Sequence, residues 1–145
     1  MDIAHVKPSN IKYTVDIDVA DDGSIKANRC NCTFCTKPGL TNCHVSDSSS
    51  FKLLSPASKS EVGDYNPNAT KAHKYFCQKC GCHVWMEGEY EYEGQTIPLF
   101  SVNLASVDQP QEGVDISKAR LSYWDGLNNN WAAGLKDAPW AGGMP

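Results

Sequence analysis

IKYTVDIDVADDGSIKANRCNCTFC, residues 11–35, is the stretch that decides the fold and carries the first group of cysteines. Residues 11–19 alternate apolar and polar side chains, with an apolar residue at every second position, which is typical of a half-buried strand. Asp21-Asp22-Gly23-Ser24 has turn composition, and a second strand is expected from Ile25 to Ala27. The stretch therefore predicts a β-hairpin that leads into a short loop bearing Cys30, Cys32 and Cys35.

The rest of the chain also favours strands over helices. At 145 residues it is expected to form one domain, with a core over residues 11–108 and a tail over 109–145 packed on it. Trp131 and Trp140 are expected to hold the irregular end of this tail on the core. The fold class is thus all-β with irregular loops, and Pro98 should occupy an edge position. Strands are predicted at residues 51–54, 72–76, 83–86 and 97–104, and loops at 41–50 and 63–70.

Charge and composition exclude several classes of partner. The net charge is −4, and no block of Lys or Arg offers the phosphate neutralisation on which nucleic-acid binding depends. No run approaches the ~20 apolar residues of a membrane span, and the first residues lack the apolar segment of a signal peptide. We therefore expect a cytoplasmic protein. In that reducing compartment, closely spaced cysteines indicate metal or redox sites rather than disulfides.

The first cysteine group, Cys30-Asn31-Cys32-Thr33-Phe34-Cys35, predicts an open metal site. Three thiolates from one short loop can face a single zinc ion and leave its fourth position for water or substrate, as in catalytic zinc sites. The alternative is that these thiols join the second group in one structural site. The two groups hold six cysteines, which is too many for one zinc, so two metal positions are favoured over one.

The second group, Cys77-Gln78-Lys79-Cys80-Gly81-Cys82, has the Cys-x-x-Cys spacing of a zinc-binding turn. A redox-active pair is the alternative, but such a motif should accompany a βαβ pattern that this chain lacks. Cys43 and Cys82 are surplus, and each is expected to be a small buried apolar residue, although Cys82 also lies near enough to serve as a ligand. His44 and His83, each next to a cysteine, are the histidines with a possible ligand or proton-handling role.

These groups together resemble a known family. The pattern is Cys30-x-Cys32-x-x-Cys35-x-Lys37-x-Gly39, then Tyr75-Phe76-Cys77-x-x-Cys80-Gly81, then Val102-Asn103-Leu104. In that order and at these distances, it resembles the glutathione-dependent formaldehyde-activating enzymes, a family that also includes the centromere protein V domain. The resemblance implies the zinc fold called the β-tent, a carbon–sulfur lyase activity, and glutathione or its S-adduct as substrate.

The resemblance also assigns roles to individual cysteines. Cys30, Cys32 and Cys35 match the family's catalytic zinc ligands, and Cys77 and Cys80 match half of its structural zinc site. The other half, a Gly-x-Cys-x-Cys-Gly motif before the first strand, is absent. Val6 and Pro8 stand where its cysteines belong.

Three explanations of this departure stay open. The first segment of the chain is altered or truncated; or Cys82, Cys43 or His5 substitutes as a ligand; or Cys77 and Cys80 carry no metal. The favoured function is a zinc-dependent carbon–sulfur lyase acting on glutathione-type thioadducts. The alternative is a non-catalytic zinc-stabilised module for protein interaction.

Overall fold

The computed structural model describes the backbone of residues 2–5 and the whole of residues 11–145. Strand is the commonest regular structure in this part of the chain, at 39%, and there is one short α-helix, so the predicted all-β fold is confirmed. The strands are β1 (Asp2–His5), β2 (Lys12–Val15), β3 (Ile25–Cys30), β4 (Asn42–His44), β5 (Lys52–Ser55), β6 (Gly63–Asp64), β7 (His73–Phe76), β8 (His83–Tyr92), β9 (Gln95–Asn103) and β10 (Ala119–Trp124). The helix α1 spans Thr33–Thr36, and short 3-10 turns span Ser48–Ser50, Lys59–Glu61, Leu104–Ser106, Ile116–Lys118 and Trp131–Ala133.

The strands form two sheets. The smaller has the order β1-β2-β5, and the larger has the order β10-β3-β4-β9-β8-β7-β6. Neighbouring strands are antiparallel except β10 and β3, which run parallel and place Trp124 beside Cys30 at their ends. The end of β10 therefore reaches the point where the first cysteine loop begins.

The first predicted strand is divided between the two sheets. β2 ends at Val15, and the next backbone N–H, that of Asp16, donates to the Ser50 hydroxyl at 3.1 Å instead of to a strand. Val19 then forms an antiparallel bridge with Ile25 of the larger sheet. The predicted turn before β3 is present, but the predicted hairpin is reduced to this single bridge, because β2 pairs with β1 and β5 and not with β3.

Two predicted loops contain strands, and two further strands, β1 and β10, are absent from the prediction. β4 lies within residues 41–50, between β3 and β9, and β6 lies within 63–70 at the edge of the larger sheet. β10 was not predicted, because its partner β3 is distant in sequence. The predicted strands at 51–54, 72–76, 83–86 and 97–104 are confirmed as β5, β7, β8 and β9, with β8 longer than expected.

Pro98 occupies the predicted edge position in β9. It pairs with Glu89 of β8, whereas β4 meets β9 only from Ser101 onward. Proline has no N–H to donate, so it is tolerated where the second side of the strand is unpaired.

The core lies between the sheets and is built around aromatic side chains. Phe51 stacks on Tyr13 with ring centroids 5.3 Å apart and contacts Trp85 at 4.9 Å. Trp85 in turn stacks on Tyr75 at 4.5 Å. Aromatic pairs at these separations add to the stabilisation from burial. The remaining core is aliphatic and includes Ile11, Val15, Ile25, Val62, Val84, Val102, Leu104 and Val107.

The chain after β10 has little regular structure, as predicted for residues 134–145, and packs back on the larger sheet. The Trp140 indole N–H donates to the Tyr123 carbonyl at 3.0 Å, and Trp131 meets Trp124 edge to face at 5.8 Å. Tyr123 also bridges to Lys136. These contacts bring the last residues back toward the cysteine loop. The single-domain organisation of residues 1–145 stays a prediction.

Candidate metal centre

Cys30, Cys32 and Cys35 are brought together by a strand end and one helical turn. Cys30 is the last residue of β3, and Cys32 has the extended backbone of a helix N-cap. The Cys32 sulfur accepts the Cys35 N–H at 3.4 Å, as capping side chains do at the start of a helix. This turn folds Cys35 back over Cys32, so the spacing Cys-x-Cys-x-x-Cys brings the three thiols together.

The three sulfur atoms fit a tetrahedral zinc ion. They all lie within 4.8 Å of one another. Zn–S bonds of about 2.3 Å at tetrahedral angles require sulfurs about 3.8 Å apart, so small movements complete the site. Cys35 is 8% exposed, whereas Cys30 and Cys32 are partly open to solvent. Among the described residues no further His, Cys, Asp or Glu joins the group, so the described part of the chain offers three candidate ligands here.

Hydrogen bonds among the three thiols set their pKa values. Bonds from the Cys30 and Cys35 thiols lower the pKa of Cys32 to about 2. The pKa of Cys30 is raised chiefly by its hydrogen bond to Cys32, and that of Cys35 by its bonds to Cys30 and Cys32. Without a metal, one thiolate is thus held between two thiols that titrate with it as a unit. A divalent cation binds the deprotonated form of all three, so metal binding releases protons.

Residues distant in sequence surround the cluster. The Asn42 side-chain amide of β4 donates weakly to the Cys35 sulfur at 4.0 Å. Gly126 packs against Cys30 so closely that a Cβ built there would lie 2.4 Å from the sulfur. Met144, near the end of the chain, lines a small cavity of about 10 Å³ together with Cys30 and Cys35. None of these three was predicted as a site residue, because nothing in its local sequence relates it to the cysteines.

Phe34 connects the cysteine loop to the far end of the larger sheet. Its ring stacks on Tyr65 at 5.2 Å and meets His83 edge to face at 5.3 Å. The Lys74 ammonium lies 5.2 Å from the same ring, within reach of a cation–π interaction. Burial lowers the pKa of His83, which favours its neutral form. His44 is exposed at the end of β4 and is not part of the thiol group.

Cys77 and Cys80 lie in a tight turn between β7 and β8. Gly81 has φ +77° and donates its N–H to the Cys77 carbonyl at 2.7 Å, while the Lys79 N–H donates to the Cys77 sulfur at 3.4 Å. Cys77 is 1% exposed and Cys80 is exposed. This is a suitable turn for two metal ligands. In residues 11–145, however, the two do not meet a third candidate ligand, and Cys82 does not complete a group of three.

The ligands expected to complete this second site would lie at the start of the chain. Val6, Pro8 and the His5 side chain lie outside the described residues. Cys77 and Cys80 therefore remain predicted ligands. Cys43 is a core residue, as predicted, with 2% exposure, and burial raises its pKa to about 11.

A groove of about 780 Å³ lies elsewhere on the larger sheet, and none of the cysteines lines it. Its walls carry two ion pairs, Lys59 with Glu87 and Lys71 with Glu89. Its charges are thus mutually compensated. The chemistry suggested by the sequence belongs to the smaller, thiol-lined site.

The fold and the site define a β-rich protein with a three-thiol loop that could hold a metal ion. The chain belongs to the glutathione-dependent formaldehyde-activating enzyme family, whose model matches residues 9–122. The resemblance seen in the sequence is therefore confirmed. None of the helices in the described residues is long and apolar enough to span a membrane.

Comparison with known structures supports the fold. A crystal structure of a Rhodobacter sphaeroides protein matches with a TM-score of 0.55 and 17% identity, over 75% of this chain and 90% of that one. At this identity the likeness concerns the fold alone. A comparison with curated proteins finds no significant match.

Proposed function

We propose that this protein is a zinc-dependent carbon–sulfur lyase that cleaves or forms glutathione adducts of formaldehyde. The observation that carries the proposal is the group of three mutually close cysteine sulfurs with no fourth ligand among the described residues. Such a site keeps a position free for a substrate atom. The family description, glutathione-dependent formaldehyde activation, supplies the reaction class.

Cys30, Cys32 and Cys35 would hold the ion, and thiolate ligands favour a soft substrate atom such as sulfur. When bound, zinc supplies a Lewis acid that stabilises the substrate sulfur as a thiolate. In cleavage of S-hydroxymethylglutathione the C–S bond breaks, sulfur keeps the electron pair, and the hydroxyl oxygen becomes the formaldehyde carbonyl as it loses its proton. The proton is finally carried by the glutathione thiol, so atoms and charge balance.

The loop also limits the charge that three thiolates would concentrate. The Cys35 N–H bonds to the Cys32 sulfur at 3.4 Å, and the Asn42 amide approaches the Cys35 sulfur at 4.0 Å. Donors to a charged acceptor favour its charged form. These two donors would therefore partly offset the negative charge of the thiolates once a metal has displaced their protons.

Lys74 is the proposed contact for the carboxylates of glutathione. Its ammonium lies over Phe34, which stands between Cys32 and Cys35 in the loop. A cation held over this ring would attract an anionic peptide thiol, and it would do so more weakly at high salt.

The alternative function is a zinc-stabilised module that binds another protein without catalysis. The open ligand position favours the enzyme, because a structural zinc site is normally closed by four protein ligands. We further propose a cytoplasmic location and no nucleic-acid partner, in keeping with the net charge of −4.

The test compares wild type with Cys32→Ser and, as control, Cys43→Ala, which removes a core cysteine outside the loop. Turnover is measured by NMR as interconversion of glutathione, formaldehyde and their adduct, above the rate in protein-free buffer. We expect Cys32→Ser to lose zinc and turnover but to keep its fold, as judged by circular dichroism. Cys43→Ala should keep zinc and turnover but unfold at a lower Tm. Wild-type turnover in Cys32→Ser would refute the proposal.

Metal analysis of the wild type distinguishes the enzyme from the interaction module and gives the number of ions bound per chain. Zinc bound without turnover would favour the interaction module. Two ions per chain would mean that Cys77 and Cys80 have found further ligands, and one ion would mean that only the first loop is loaded.

A further inference from the structure

We infer that the segment 123–145, which follows the part matched to the family, forms one wall of the metal centre, and that Asp125 is its positioning residue. Asp125 would act through Asn31, the residue between Cys30 and Cys32, and so set the separation of two ligands. The inference rests on the proposed zinc site and concerns how this chain preorganises it.

Asn31 is held on three sides. It is 4% exposed, and its side-chain amide donates to the Asp125 carboxylate at 2.7 Å. The same amide donates to the Ala141 carbonyl at 3.1 Å, and the Asn31 side-chain oxygen accepts the Leu127 N–H at 2.9 Å. All three partners belong to the C-terminal segment. The backbone between the two cysteines is therefore tied to β10 and the chain that follows it.

Asp125 is itself fixed. It is 4% exposed and directly follows β10, whose register places Trp124 beside Cys30. Its carboxylate also accepts the side-chain amides of Asn128 at 2.9 Å and Asn130 at 3.2 Å. A buried carboxylate with three amide donors is a rigid anchor, and the hydrogen bond from Asn31 is the chief cause of its lowered pKa.

The final residues close the same wall. A Cβ built on Gly143 would lie 3.0 Å from the Asn31 Cβ, so the tail passes directly over this residue. The Arg29 guanidinium, beside Cys30, donates to the carbonyl of Pro145. Met144 lines the small cavity with Cys30 and Cys35. The wall thus touches the residue before the loop, the loop itself and two of its thiols.

This arrangement has a specific consequence for metal binding. A loop already held near the bound geometry loses less freedom when the ion arrives, so it binds more tightly. Residues that orient metal ligands typically contribute 10- to 100-fold in affinity. Loosening the anchor should therefore weaken zinc binding even in a protein that remains folded.

The test measures zinc affinity by chelator competition in Asp125→Ala, Asn31→Ala and the double variant. We expect each single change to weaken binding by about 10- to 100-fold. The double variant should lose no more than the larger single loss, because Asp125 reaches the loop through the Asn31 side chain. Asp115→Ala is the matched control, since Asp115 is an exposed carboxylate that accepts hydrogen bonds from Ser117 and is not in contact with the loop.

A second readout distinguishes positioning from simple stability. The Tm of the metal-free variants is measured alongside, and a purely structural role would lower Tm with zinc affinity unchanged. If Asp125→Ala does not fold, Asp125→Asn keeps the shape of the anchor, and weaker binding is expected there too. Unchanged zinc affinity in the folded Asp125 and Asn31 variants overturns the inference and leaves the proposed function standing. Normal zinc binding without lyase turnover in the wild type overturns the proposed function alone.

Discussion

Gly126→Ala tests whether the C-terminal wall contacts the metal ligands as closely as the structure shows. A Cβ at this position would lie 2.4 Å from the Cys30 sulfur and 2.7 Å from the Trp131 ring. Heavy atoms attract best at about 3.5–4.0 Å, so the added methyl overlaps the sulfur by more than about 1 Å. The Trp131 ring is 40% exposed and can turn outward. Cys30 has no such freedom once it binds an ion.

The expected loss of zinc affinity depends on whether the metal-free or the zinc-bound protein can relieve this overlap. Overpacking typically costs about 1–3 kcal/mol. In the metal-free protein Cys30 can shift and relieve part of the overlap, whereas in the loaded protein it cannot. Most of the cost therefore falls on the zinc-bound form, which corresponds to roughly 5- to 150-fold weaker binding.

The assay is chelator competition for zinc, with the Tm of the metal-free protein as the second measurement. Gly63→Ala is the matched control, because its Cβ would come 2.5 Å from the Phe76 ring, an equal overlap that does not involve the thiols of the first loop. We expect Gly63→Ala to lower Tm and leave that loop's zinc affinity near wild type. Zinc affinity within twofold of wild type in Gly126→Ala would refute the close contact between Gly126 and Cys30.

Two further predictions concern a buried thiol and a half-buried cation. With its pKa at about 11, Cys43 is about one part in a thousand thiolate at pH 8, so it should resist alkylation in the folded protein while exposed Cys80 reacts. Mass spectrometry reads the labelled peptides, and equally fast labelling of both cysteines before unfolding would contradict the prediction. Lys74→Met should raise KM for the glutathione adduct by roughly 1.4- to 5-fold without changing zinc content, since an ion pair open to solvent contributes about 0.2–1 kcal/mol. Lys26→Met, on exposed β3 surface, is the control, and an equal KM shift in both variants would exclude a specific role for the cation over Phe34.

Hydrophobic patterning identified the strands that place one face in the core. Ile11, Tyr13 and Val15 stand at alternate positions and are all buried, and this stretch forms β2. β4 was read as loop because its sequence, Asn-Cys-His, is mostly polar. Asn42 is nevertheless buried beside the thiol loop, where the Cys35 sulfur is its partner. A strand in the middle of the sheet whose residues line a polar site lacks the alternating apolar side chains of an ordinary core strand.

β10 shows the complementary limit of sequence reasoning. Its residues, Ala119–Trp124, pair in parallel with β3, which lies 94 residues earlier in the chain, since Ala119 pairs with Ile25. A parallel pair needs a crossover connection, so no turn signal joins the two strands locally. Sequence reasoning therefore placed β10 in a tail, whereas the folded chain places it at the edge of the larger sheet.

The sequence by itself determined the three-thiol loop, because ligand spacing over one helical turn is a local property of the backbone. Cys30, Cys32 and Cys35 come together through a strand end, an N-cap and a single turn. Only the tertiary structure decided what surrounds that loop. Asp125 and Gly126 reach it through the parallel register of β10 on β3, and that register results from cooperative packing of the whole sheet rather than from residues close in sequence.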